Sequence, residues 1–261
     1  MIAISNIIAI FRKELQGYFT SPFAYIIVGV FWFLSGSFFI SILLETSQEI
    51  SLLEQQGTPY PIDAAYIFLL RFFSALGLLS LFILPILSMG LYAEERKRGT
   101  LELLATSPIT NWSVAVGKLL GAIAFFTFMI LPLLIYEAIA FGTADPPLQP
   151  GVPLLAHLGL ILLAAAILSL GMFLSSLTDS TILAAILTFT LVLLLWIVDL
   201  LANRLPSPFS DILSHLSLLK HYNNLIQGVV DLSSLVLLMS YIILGLFLTA
   251  QSIEALRFAR R

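Results

Sequence analysis

Cysteine is absent from this 261-residue chain. Disulfides, zinc–thiolate sites and thiol nucleophiles are excluded at once. Charge is nearly as scarce: 10% of the residues are Asp, Glu, Lys or Arg, against about 25% in a soluble domain. That is too little polar surface to cover a soluble protein of this length, so most of the exterior must face lipid. The net charge of −3 offers no basic excess for nucleic acid, and none is expected as a partner. Histidine occurs three times, as His157, His215 and His221, without an H-E-x-x-H pattern. No G-x-x-x-x-G-K-[ST] loop is present to cradle ATP, and no G-x-S-x-G marks a serine nucleophile.

What is abundant is apolar: 59% of the residues. The apolar residues fall in six continuous stretches near 23–44, 72–92, 112–141, 153–175, 181–201 and 232–250. Each is long enough for a membrane-crossing helix of about 20 residues. Continuous rather than alternating runs favour helices over a β-barrel. The third run is long and contains Pro132, which predicts a kink or a tilt. With no fixed-period repeat, the expected architecture is one all-α membrane domain over 1–261.

Ahead of the first run, residues 3–20 place Ile4, Ile7, Ile8, Phe11, Leu15, Tyr18 and Phe19 at helical spacing. Arg12, Lys13 and Gln16 fall elsewhere, as in an amphipathic helix lying in the membrane interface. Ser21 and Pro22 read as an N-cap and first-turn proline for the first span. The apolar run continues to Leu44 past the small residues at 35–37, which favours a retained anchor over a cleaved leader.

Numbering the segments alternately puts Arg12, Lys13, Arg96, Lys97, Arg98, Lys118, Arg257, Arg260 and Arg261 on one side. Arg71, Arg204 and Lys220 fall on the other. Nine against three predicts that the first side, with both termini, is cytoplasmic. Outside, residues 45–61 are polar and acidic, 62–73 read as a second interfacial helix, and 142–152 form a proline-rich turn. Residues 202–231 are long and half apolar, and read as short helices dipping back toward the membrane.

The most polar stretch, "YAEERKRGTLELLATSPIT" at 92–110, lies between two of the most apolar. Gly99 is expected to break the helix leaving span two, and Thr100 to cap a new one with Glu102 in its first turn. Leu101, Leu104 and Ala105 share a face, "SP" at 107–108 ends it, and Thr110 or Asn111 caps span three. The charge by itself is explained by the positive-inside rule. The order of the residues adds more.

That order resembles the permease subunits of type-2 ATP-binding-cassette exporters. Their second cytoplasmic connection often reads E-E-R-x-x-G-T-L-E-x-L-L-x-x-P, matched here by Glu94, Glu95, Arg96, Gly99, Thr100, Leu101, Glu102, Leu104 and Pro108. "HYNNLIQGVVDLSSLVLLMSYIILGLFL" is similar to the segment around their last span, with Gly228 and Asp231 at the recurring positions. The subgroup most resembled is the gliding-motility and nitrous-oxide-reductase-maturation type. The resemblance implies a half-transporter: two permease chains form the pathway in the cell (inner) membrane. Separate ATPase subunits bind ATP and Mg beneath them, with 94–108 as the coupling helix. This chain is then no enzyme and holds no cofactor of its own.

Other constellations are explained structurally. Arg71, Glu137 and Asp199 lie near the outer ends of their spans, where snorkelling accounts for them. Arg71 and Glu137 are expected to pair there. Asp211 and His215 have a spacing that metal ligands use, but a solvated outer helix is the better reading, and no metal site is expected. Ser35, Ser37, Ser80, Thr188 and Thr190, with the small residues Ala164–Ala166, Gly171, Ala184 and Ala185, suit helix–helix packing. Two alternatives are a multi-pass membrane enzyme and an ATP-independent secondary transporter. The latter is expected to show broken spans in paired positions and central charges.

Overall fold

Continuous apolar runs must satisfy every backbone group within themselves, and a computed structural model shows how they do so. It describes residues 2–56, 63–101, 109–144, 148–202, 206 and 215–258, among which the regular structure is entirely helical. The helices are α1 (Ile2–Thr20), α2 (Pro22–Gln55), α3 (Ala64–Ser88), α4 (Gly90–Lys97), α5 (Asn111–Ile130), α6 (Leu133–Gly142), α7 (Gly151–Leu177), α8 (Thr181–Ala202), α9 (Leu218–Ile226) and α10 (Leu232–Phe258). Six helices of the described residues are long and apolar enough to cross a membrane: α2, α3 continued by α4, α5, α7, α8 and α10.

Local chemistry sets most boundaries. Ser21 precedes Pro22 at the first position of α2, although its side chain makes no capping bond. The Thr110 hydroxyl accepts from Ser113 N–H at the start of α5, which settles the choice between Thr110 and Asn111. Pro132 lacks an N–H and interrupts the third span, dividing it into α5 and α6. At the end of α9, Gly228 has φ +79°, and the N–H of Val229 returns to Asn224 O, a left-handed helix stop. The Asp231 carboxylate then accepts from the Ser233 N–H, which opens α10.

Two expectations are corrected. Residues 45–55 continue α2, and the described residues 63–73 of the expected interfacial helix at 62–73 form no separate helix but the start of α3. The Asp63 carboxylate accepts from Tyr66 N–H, so α3 starts there and runs without a break through Phe72 and Phe73. A 34-residue α2 is about 51 Å long. That overshoots a hydrocarbon core of about 30 Å.

The most enclosed span is α7, which packs against α3, α4, α5, α8, α9 and α10. Ala164, Ala165, Ala166 and Gly171 on it are buried, as is Ala184 on α8, in keeping with small residues at helix contacts. α2, α8 and α10 are peripheral and turn Phe33, Ile182 and Val236 outward. Within the expected outer segment 202–231, α9 folds back onto α3, α7, α8 and α10. The Tyr222 hydroxyl donates to Phe73 O at 2.6 Å. Gly77 and Gly159 make room for this helix: a Cβ at Gly77 would stand 2.6 Å from the Tyr222 ring, and one at Gly159 2.9 Å from Leu225.

Candidate functional site

The five charged residues at 94–98 lie on α4 and its C-cap, which continue α3 beyond a one-residue interruption at Met89. Between α3 and α4 the N–H groups of Tyr92 and Ala93 donate to Ser175 Oγ from α7, at 3.1 and 2.9 Å. Ser175 donates in turn to Met89 O at 2.7 Å. A side chain inserted in the helical ladder is a recognised cause of a kink. Here the one hydroxyl serves two N–H groups and the Met89 carbonyl.

Each charge then finds a different use. Arg96 donates to Ser176 O at 2.9 Å, in the last turn of α7, where unpaired carbonyls favour a cation. Glu94 and Arg98 pair with each other one turn apart on the surface. Lys97 is exposed. Glu95 turns inward, where its Oε1 lies 3.0 Å from Lys118 Nζ and 3.0 Å from Lys13 Nζ.

Lys118 is the centre of the cluster. Its side chain is 2% exposed, and its ammonium also meets Glu14 Oε1 at 2.8 Å. It lies 5.1 Å from the centre of the Tyr92 ring, a cation–π contact. One buried ammonium thus joins α1, α4 and α5, and two carboxylates with two ammoniums leave the cluster neutral. Burial pulls the Lys13 ammonium down, but the Glu95 and Glu14 carboxylates hold its pKa above the ordinary value. A cleft of about 770 Å³ opens beside the cluster, between α1 and α4.

The close approach of α1 rests on Gly117 and Gly121. A Cβ at either would come within 2.8 Å of Ile10 or Glu14. Tyr18 stacks on Phe125 at 4.6 Å and donates to Leu87 O. One apolar face of α1 is therefore packed on α5, while Ile4 and Ile8 face outward. Sequence reasoning counted Lys118 only as one more cytoplasmic cation and did not single out Glu14 or Ser175. The signal was a lone lysine between two glycines four apart, seven residues into an apolar helix.

Below α4 the chain turns at Gly99, whose φ of +71° is the left-handed helix stop foreseen for it. The Thr100 hydroxyl donates back to Glu95 O. Leu101 is 6% exposed and packs in the chain's own core. Glu102, Leu104 and Pro108 lie outside the described residues.

At the opposite end of the bundle, Arg71 does not pair with Glu137. It meets Glu49 Oε2 at 2.7 Å, because α2 continues as helix through the stretch read as a polar loop. Glu137 is not at the surface either: it is 2% exposed, with His157 Nε2 at 3.7 Å from Oε1. His221 accepts from or donates to Ser234 Oγ at 2.9 Å and donates through Nε2 to His215 O, tying α9 to the start of α10. Asp211 lies outside the described residues, and among those described no three His, Cys, Asp or Glu side chains gather as a metal site.

A family model described as "ABC-2 family transporter protein" matches residues 8–261. No curated protein matches the chain.

Proposed function

The chain belongs to the ABC-2 family of transporter proteins and is a permease subunit of the ATP-binding-cassette type; on that premise we propose that it works in export, paired with a second permease chain. Separate ATPase subunits, carrying ATP and Mg, would bind beneath it and drive it through residues 94–108. Its place is the cell (inner) membrane, with both termini cytoplasmic.

The observation that carries this reading is the Lys118 junction. A force applied to 94–101 is not absorbed by a slack loop. Glu95 passes it to α5 and α1 through Lys118, Arg96 passes it to the end of α7, and Ser175 fixes α4 to α7 by its backbone. Packed elements joined in this way move together. Lys97, Arg98 and Thr100 remain exposed beneath this junction and are suited to a partner's groove. Leu101 is not, since its side chain is already used within the chain.

Pull-down of the ATPase tests the proposal. Reversing both exposed cations, Lys97→Glu with Arg98→Glu, places like charge against the partner and should lower recovery about tenfold or more. Equal recovery at equal membrane abundance removes 94–108 from the coupling role.

A further inference from the structure

Glu137, on α6 just beyond the break at Pro132, has both carboxylate oxygens buried without a hydrogen-bond partner. His157, on α7, has an unpartnered and buried Nε2. The two orphaned groups face each other across 3.7 Å. The tautomer of His157 is constrained from its other side. Its Nδ1 lies 2.9 Å from Pro153 O, and a carbonyl only accepts, so Nδ1 carries hydrogen. A neutral His157 therefore presents a lone pair at Nε2. An ionised Glu137 would present only lone pairs against it, with no donor for any of them.

Among the described residues, no other group shown near the pair supplies that donor. Phe73 of α3 stands edge-on to His157, with ring centres 4.9 Å apart. Among the described residues, Tyr222 of α9 is a titratable group that faces Glu137, but its hydroxyl is spent on Phe73 O. α2 and α3 offer rings to α6, Phe39 against Tyr136 and Phe68 against Phe141. Arg71 is engaged with Glu49. A proton fits a gap this narrow and satisfies both sides; a bridging water needs more room than 3.7 Å, and a metal ion would need further ligands that do not gather here among the described residues.

We propose that Glu137 and His157 form a binding site for one proton, carried on the Glu137 carboxyl and directed at His157 Nε2, which holds α6 to α7. When it is occupied, the carboxylic O–H donates to Nε2 and a small side-chain movement closes the gap. When the proton leaves to solvent, a bare carboxylate faces an imidazole lone pair with no cation beside it. The contact must then open or admit water, at the point where the third span is already broken. The site sits under α9 at the end of the bundle away from Lys118. Its occupancy is a second input on the same helices, independent of the ATPase reading.

Infrared spectroscopy of the full chain in lipid nanodiscs tests this without any partner. At neutral pH, wild type should show a carboxylic-acid C=O band that moves in D₂O and is lost in Glu137→Gln. In His157→Leu the acid loses its acceptor, and the band should shift to higher frequency. Should Glu137→Gln not assemble, labelling glutamate with ¹³C in wild type and in His157→Leu assigns the band through the same shift. Absence of a protonated-glutamate band, including the case in which the proton resides on His157, overturns the proposal. A band that ignores the His157→Leu change also overturns it.

Discussion

Lys118 combines two costs that usually exclude a lysine from an apolar helix: loss of water and loss of side-chain freedom. Both are offset because two carboxylates and the face of Tyr92 meet a single ammonium. Breaking such a buried network by removing one member leaves unpaired charge, at a cost of about 3–5 kcal/mol. Lys118→Met should therefore lower unfolding stability in detergent by about that amount. Adding Glu14→Gln and Glu95→Gln should restore most of the loss, since replacing a whole buried ion pair by uncharged groups is often neutral. A triple variant no more stable than Lys118→Met alone would show that the cluster's charges are not what holds α1, α4 and α5 together. Glu14 and Lys118 are 104 positions apart in sequence, and no local pattern could announce their contact.

The interruption between α3 and α4 is bridged by a single atom, Ser175 Oγ, that takes two N–H groups and gives to one carbonyl. Ser175→Ala removes this atom and strands those backbone groups in a buried place. Leaving such groups unsatisfied costs about 1–3 kcal/mol. Stability measured by thermal unfolding should fall by that amount. Unchanged stability would mean that α3 and α4 straighten into one helix and repair the ladder themselves. The helix stop at Gly99 and the break at Pro132 were legible in advance, since each follows from one residue's backbone chemistry. The Ser175 insertion was not, because a serine in an apolar span looks like any other small packing residue.

For the whole molecule, and among the described residues, Arg12, Lys13, Arg96, Lys97, Arg98 and Lys118 gather at the end of the bundle that carries α1, α4 and the last turns of α7, against Arg71 and Lys220 at the other. By the positive-inside rule that end is expected to face the cytoplasm. The absence of cysteine makes this directly measurable, because one introduced thiol is the only one present. Cysteine at position 97 should react with a membrane-impermeant reagent only after the cells are opened. Cysteine at position 227, exposed at the end of α9, should react in intact cells. Labelling of 97 from outside would invert the topology and remove 94–108 from reach of a cytoplasmic ATPase.

The number of spans, the break at Pro132, a cap at 110 or 111 and the uneven placement of cations were determined by the sequence alone. Each arises from hydrophobic length, backbone chemistry or charge count, which act locally. Which face of each span turns inward was decided only by the tertiary structure. In water a helix displays its buried side as a stripe of apolar residues. In lipid both sides are apolar, and packing follows small residues and the few polar partners instead. Arg71 met Glu49 and not Glu137, Leu101 turned into its own core, and Glu137 turned toward His157, because these contacts depend on the rotation of whole helices. An apolar run carries almost no record of that rotation.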